Sequence, residues 1–280
     1  MFFDWYNNCY YNDGHKMNFA TRPLVRYHGG KWRLAPWIIS YFPPHRTYVE
    51  PYGGGASVLL RKERSYSEVY NDLDGEIVNL FRVARDHGED LIKLLAMTPF
   101  AREEFRLSYD VADNPIEQAR RTVVRSFMGF GSNSHNRKTG FRSNSDRSGT
   151  TPAHDWKNYP IALDKIIDRL RGVVIENRDA LDVLKIHDSG KTLHYVDPPY
   201  LPETRDPGVD YRYEMSVDDH IKLSVALRSL IGTVIISGYP SELYNNLYHD
   251  WIRCDKNALA DKARKRIECI WINRKINELF

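Results

Sequence analysis

Residues 193–206 read LHYVDPPYLPETRD, a short apolar climb that stops on Asp197, Pro198, Pro199 and Tyr200. The two prolines donate no backbone hydrogen bond and fix φ, so the carbonyls beside them point in set directions. A carboxylate next to such a carbonyl offers two acceptors to one planar amine. The Tyr200 ring adds a flat face on which the group bearing that amine can stack. An exocyclic amine on a purine is a feeble nucleophile, because its lone pair is delocalised into the ring. Holding its hydrogens on Asp197 and the Pro198 carbonyl favours the tetrahedral nitrogen that attacks, which is transition-state stabilisation. The bland alternative is a proline-ended strand with a capping aspartate. Position favours the chemical reading, since open α/β sheets place ligands at the carboxyl ends of central strands.

A second stretch, VEPYGGGASV (49–58), lies where a strand feeds a helix. Glycines there let backbone approach a ligand closely and adopt positive φ. No GxxxxGK[ST] is present, which excludes a Walker loop, and no GxSxG, which makes Ser57 a poor hydrolase nucleophile. Asp72, in VYNDLD, ends the next strand about 20 residues later, where an acid is placed to hold ribose hydroxyls. Its structural alternative is to cap the helix that begins near Asp74. Together the two stretches favour a nucleoside ligand.

These residues need a scaffold. TYVEPYGGGASVLL (47–60) predicts strand, turn and helix opening, and SEVYNDL (67–73) a second strand. In the segment that follows, Ile77, Leu80, Phe81 and Ala84 fall at helical spacing, with Gly88 placed to end the helix. That order indicates a parallel α/β sheet. Residues 89–130 are helical in pattern, with Asn114 as a cap and Pro115 at the first helical position. Residues 129–151 have no period and read as a long loop of the kind that carries function. Strands return at 173–178, 193–197, 233–239 and 268–274, with a helix capped near Ser216 between those at 193–197 and 233–239. The expected division is an N-terminal extension (1–19), a catalytic domain in two pieces (20–88 and 160–280) and an insertion (89–159).

With 280 residues, 42% hydrophobic and 28% charged, the chain has the composition of a soluble globular protein. No apolar run reaches membrane-spanning length, and residues 1–16 lack the layout of a secretory signal. Cys9, Cys254 and Cys269 are scattered, which points to a reducing cytoplasm rather than a disulfide framework or structural zinc site. The ten histidines form no HExxH or other close ligand set, so no catalytic metal is expected.

Six segments then carry a resemblance: RYHGGKWRLAPWI (26–38), TYVEPYGGGASV (47–58), VYNDLD (69–74), VVIENRDAL (173–181), YVDPPY (195–200) and VIISGYPSELY (234–244). Their order resembles the Dam-type family of DNA adenine-N6 methyltransferases over most of residues 22–274. The resemblance implies a Rossmann-like methyltransferase sheet, mostly parallel, with a mainly helical target-recognition insertion. It implies S-adenosylmethionine as cofactor and double-stranded DNA as substrate. Tyr27, Gly29, Gly30 and Lys31 resemble the motif around the methionine end of that cofactor. Glu50, Pro51, Tyr52, Gly53 and Gly55 resemble its glycine loop. The family reads closer to EPFxGxG there, so Gly53 stands where a larger residue is usual. Asp72 matches the ribose acid, and Asp179 resembles the acid near the cofactor adenine, with loop capping as its alternative. Asp197, Pro198, Pro199 and Tyr200 match the catalytic tetrad, with Asp197 also bordering the cofactor.

The insertion gathers Arg120, Arg121, Arg125, Arg137, Lys138, Arg142 and Arg147, with Asp146 the only acid between Arg120 and Asp155. Such cations neutralise phosphates, so Arg120, Arg125, Arg137, Lys138 and Arg142 are the expected DNA contacts; the alternative is a solvated helix face. Two other functions compete. Related tetrads act on cytosine-N4 or protein glutamine, and RNA is a further acceptor, but aspartate at the first position leans toward adenine. An inactive DNA-binding protein on the same fold is disfavoured by the intact Asp72 and Asp197. A monomer or weak dimer is expected.

Overall fold

The computed structural model describes residues 20–131, 137–143, 150–205, 211–259 and 265–273. The expected extension 1–19, and Asp146 and Arg147 of the basic loop, lie outside the described residues.

Strands β1 (Thr47–Glu50), β2 (Ser67–Asn71), β3 (Val173–Glu176), β4 (Thr192–Val196), β5 (Thr233–Gly238), β6 (Ile252–Leu259) and β7 (Lys265–Ile272) form one seven-stranded sheet in the order β3-β2-β1-β4-β5-β7-β6. The first five are parallel, and β7 runs antiparallel to both β5 and β6. Every residue of β4 and β5 is buried, as parallel strands covered on both faces require. Along β5 the faces alternate: Ile235 joins a core with Tyr48, Tyr70 and Leu193, while Val234 and Ile236 join one with Leu223 and Trp271.

Helices cover both faces. On one side lie α2 (Gly75–Asp86), α3 (Gly88–Met97), α4 (Arg102–Leu107), α5 (Pro115–Met128) and α6 (Pro152–Leu170), preceded by the short α1 (Ala35–Ile39). On the other lie α7 (Ala180–Ile186), α8 (Val217–Arg228) and α9 (Glu242–Leu247). The predicted caps form: Asn114 accepts from the Ile116 and Glu117 N–H groups, and Ser216 builds a capping box with Asp219.

Four expectations change. The stretch after the glycine turn makes two bonds of helical spacing, Leu60 N–H to Ala56 O and Lys62 N–H to Val58 O, and no full helix. Gly88 does not end α2; His87 does, and Gly88 opens α3 beneath Ile167. No boundary falls at residue 160, because α6 runs through it with Pro160 buried inside the helix. Arg169 of α6 grips Glu68 of β2 at 2.6 and 2.9 Å, and Leu163 and Val123 share one core with Tyr48. The insertion is therefore packed onto the sheet rather than separate from it. Strand β6 was not expected, because Arg253, Asp255 and Lys256 give it no apolar alternation; it is an edge strand, where such charges are tolerated.

The close approach at Gly88 is testable. A Cβ there would stand 2.5 Å from Ile167 Cδ1, so Gly88→Ala should cost about 1–3 kcal/mol by overpacking despite better helix propensity. Urea denaturation measures it, and unchanged stability would show that Ile167 turns aside freely.

Candidate active site

Strand order reverses between β1 and β4, so the carboxyl ends of β1, β2 and β4 deliver their loops to one crevice. The cleft there is open, with about 880 Å³ of space counting the solvent at its mouth. Tyr27, Gly29, Gly30, Lys31, Glu50, Pro51, Tyr52, Gly53, Gly55, Asp72, Asp197 and Pro199 all line it. Residues from well-separated segments of the chain thus meet in one place.

Glu50 ends β1 buried, and its Oε2 accepts Tyr48 O–H at 2.7 Å and Leu59 N–H at 3.0 Å. Burial pushes its carboxyl up to about 8 against those bonds. It ties the strand end to the segment beyond the glycines. A Cβ on Gly53 would lie 2.1 Å from the Tyr70 ring, whose O–H donates to Gly54 O at 2.8 Å. The larger residue usual at this position is therefore excluded here, because Tyr70 fills its space. Gly54, which sequence reasoning passed over, has φ +46° and donates its N–H to Asp72 Oδ2 at 2.8 Å. The turn is pressed between Tyr70 and Tyr27.

Asp72 also accepts Asp74 N–H at 2.8 Å on Oδ1. The helix cap is Asp74, which accepts Glu76 N–H at 3.0 Å, so Asp72 is left to the cleft. Burial pushes the Asp72 carboxyl up to about 6, although the Asp74 and Gly54 N–H groups pull it down. Asp179 does not line the cleft; it is exposed and caps α7 through Leu181 N–H at 2.8 Å, while its neighbour Ala180 reaches the lining.

The tetrad lies at the other end. Asp197 Oδ1 accepts Ser237 O–H at 2.6 Å and faces the Lys31 ammonium at 3.1 Å. Lys31 is only 5% exposed, donates to Gly29 O at 2.7 Å and sits 4.5 Å over the Tyr200 ring. Burial opposes its charge, but Asp197 and Glu268 outweigh that and hold its pKa above the ordinary lysine value. Tyr200 is buried, meets Tyr239 edge-on at 4.8 Å and donates its O–H to Glu268 Oε2 at 3.0 Å. The open stacking face expected for Tyr200 is thus covered by Lys31. Neither Tyr200 nor buried Pro198 belongs to the cleft lining.

Several contributors were missed. Residues 211–215 close one side of the cleft, and a Cβ on Gly29 (φ +71°) would meet Tyr211 Oη at 2.4 Å. Arg212 fastens this segment to Asp74 and Glu76, both at 2.8 Å. The segment's lack of period hid it. Glu268 had a visible signal, a charge heading the apolar run ECIWI.

The basic insertion divides. Arg120 and Arg125 are corrections: they are 8% and 7% exposed and serve as internal struts. Arg120 bonds Glu117 at 2.7 and 2.8 Å and Glu104 at 2.7 Å, and Arg125 pairs with Glu76. The i−3 placement of Glu117 was the available warning. Arg137 and Lys138 are exposed, and half-buried Arg142 donates to Phe127 O at 3.0 Å. The expected loop folds back at its base, where Gly129 bridges Phe141. Among the described residues no group of three or more His, Cys, Asp or Glu is arranged to hold a metal ion, and no helix is long and apolar enough to cross a membrane.

The chain is 26% identical over 259 residues to the Type II methyltransferase M1.LlaDCHI of Lactococcus lactis subsp. cremoris, covering 84% of this chain and 87% of that protein. It is 23% identical to the DNA adenine methylase of Serratia marcescens, covering 93% and 97%. Residues 27–267 match the pattern of the D12 class N6 adenine-specific DNA methyltransferases, and at that extent the chain belongs to this family.

Proposed function

We propose that this chain transfers a methyl group from S-adenosylmethionine to N6 of an adenine turned out of duplex DNA. One observation carries the reading. The Asp197 carboxylate, fixed by Ser237, faces the same cleft as the glycine turn and Asp72, and it already binds a nitrogen that lies over the Tyr200 ring.

The cleft suits the cofactor. Gly53–Gly55 present backbone with no side chain in the way, and Asp72 keeps lone pairs beyond its two backbone bonds for a ribose diol. Tyr27 packs against Gly54 and Gly55, and Gly29 O holds Lys31, which faces Asp197. When bound, S-adenosylmethionine supplies a methyl group already activated by its positive sulfur. The chain's own part is positioning. Asp197 and the Pro198 carbonyl take the two amine hydrogens, which favours the attacking geometry and places the nitrogen for in-line transfer. The surplus proton leaves late, to Asp197 or solvent. Turning the base out costs a few kcal/mol of pairing and stacking. Phosphate contacts from Arg137, Lys138 and Arg142 on the insertion help to offset that, and the cytoplasm is the place of action.

Asp197→Ala should abolish methyl transfer from tritiated cofactor to unmethylated plasmid DNA while calorimetry still detects cofactor binding; normal turnover would refute the assignment. Cofactor affinity should also depend on pH. The part of the affinity that Asp72 carries needs its carboxylate, so the affinity ratio to Asp72→Asn should be constant above pH 7 and fall roughly tenfold per unit below about 6. Asp72→Asn should be weak throughout and lose that slope.

The two groups of cations should separate cleanly. Arg137→Ala and Lys138→Ala should each weaken duplex binding and flatten its logarithmic salt dependence by roughly 0.9. Arg120→Ala should instead lower folding stability by about 1–3 kcal/mol, by leaving Glu104 without this partner and Glu117 with Arg121 alone of its two arginines. A salt slope that changes only in the Arg120 variant would invert the interface described here.

A further inference from the structure

Oδ1 of Asp197 and the face of Tyr200 are taken. Lys31 places an N–H donor on that oxygen at 3.1 Å, beside the Ser237 hydroxyl at 2.6 Å, and lies 4.5 Å over the Tyr200 ring, where the target base has to stack under the function proposed above. The ammonium and the base cannot share that face. Two ways out exist for a buried ammonium: return to water, or transfer to another anion. The first is obstructed, since Lys31 is 5% exposed and Tyr211 stands against Gly29 beside it.

Glu268 is the nearby anion that the reaction as described does not use. It enters on β7, whose antiparallel run brings its beginning to the sheet edge where β4 and β5 end: Cys269 pairs with Gly238, and Glu268 lies one step further out. It is 8% exposed, accepts the Tyr200 O–H at 3.0 Å and interacts electrostatically with both Lys31 and Asp197. A carboxylate has lone pairs to spare after one phenol bond. Tyr200 therefore stands with its ring under the ammonium and its hydroxyl on the second acid.

We propose that Glu268 is a positioning residue for methyl transfer: it fixes the Tyr200 ring through the phenol and receives Lys31 when the target amine takes over Asp197. The inference rests on the function proposed above. Lys31 remains charged throughout, so the exchange moves one cation between two carboxylates and needs no proton transfer. It keeps the site's charge balanced with the base present, where an ammonium left over Tyr200 would block the stacking face.

Three variants test this by single-turnover transfer to unmethylated plasmid DNA, with cofactor affinity by calorimetry and thermal midpoint as controls. Glu268→Gln keeps an acceptor for the phenol but loses the charge. It should retain both controls and slow transfer on the order of 100-fold, the scale of a misplaced reacting group. Tyr200→Phe removes the phenol bond alone and should slow transfer less. Glu268→Gln placed in the Tyr200→Phe background should still cost close to its full factor. Glu268→Asp keeps the charge and should be faster than Glu268→Gln, which also serves if the glutamine variant folds poorly. Wild-type rates for Glu268→Gln, or no added cost in the Tyr200→Phe background, would overturn the proposal by reducing Glu268 to a support for the phenol. Failure of the wild-type protein to label DNA would instead sink the function itself.

Discussion

Burying the Lys31 ammonium costs several kcal/mol unless it is paired and hydrogen-bonded, and the site is organised around meeting that demand. Gly29 O, Asp197 and the Tyr200 ring surround it at 2.7, 3.1 and 4.5 Å, with Glu268 on the ring's hydroxyl. These contacts come from the amino-terminal turn, from β4 and the loop that follows it, and from β7. A single cation therefore ties the turn at Tyr27–Lys31 to the Asp197–Tyr200 segment and to β7. It also marks where a nitrogen is best bound. The favourable surroundings of an amine donor are present before any substrate arrives.

The sheet makes this convergence possible. Reversal of strand order between β1 and β4 opens a crevice into which the loops after β1, β2 and β4 all lead. The antiparallel β7 then brings an acid to that edge from the opposite chain direction. Backbone geometry sets the cofactor end more tightly than side-chain chemistry does. Gly53 is dictated by the Tyr70 ring, and Gly54 by positive φ and its bond to Asp72. The Asp74–Arg212–Glu76–Arg125 chain of ion pairs connects the wall of the cleft to α2 and the inserted helix α5.

Much of this was legible from residues alone because the motifs are local. DPPY at a strand end, GGG at a turn and Asp72 after the next strand each carry their own geometry, and Asp197, Pro199, the three glycines and Asp72 reach the cleft. The apolar runs of β4 and β5 announced a covered parallel sheet. Pairings distant in sequence were not legible. Arg125 looked like a phosphate contact because Glu76, its partner, lies on another helix; Arg120 was misread although Glu117 stood three residues before it. The edge strand β6 has no hydrophobic period, and the wall at 211–215 has no regular structure to betray it. Lys31 lines the cleft, but its contact with Asp197, 166 positions away in the chain, could be seen only in three dimensions.

The most direct measurement is a crystal structure of the protein bound to duplex DNA carrying its target adenine, with a non-reactive analogue of the cofactor. The account predicts the adenine N6 within about 3 Å of Asp197 and of the Pro198 carbonyl, its ring against Tyr200, and Lys31 no longer on Asp197. A target base bound elsewhere, with Lys31 still paired to Asp197, would contradict it.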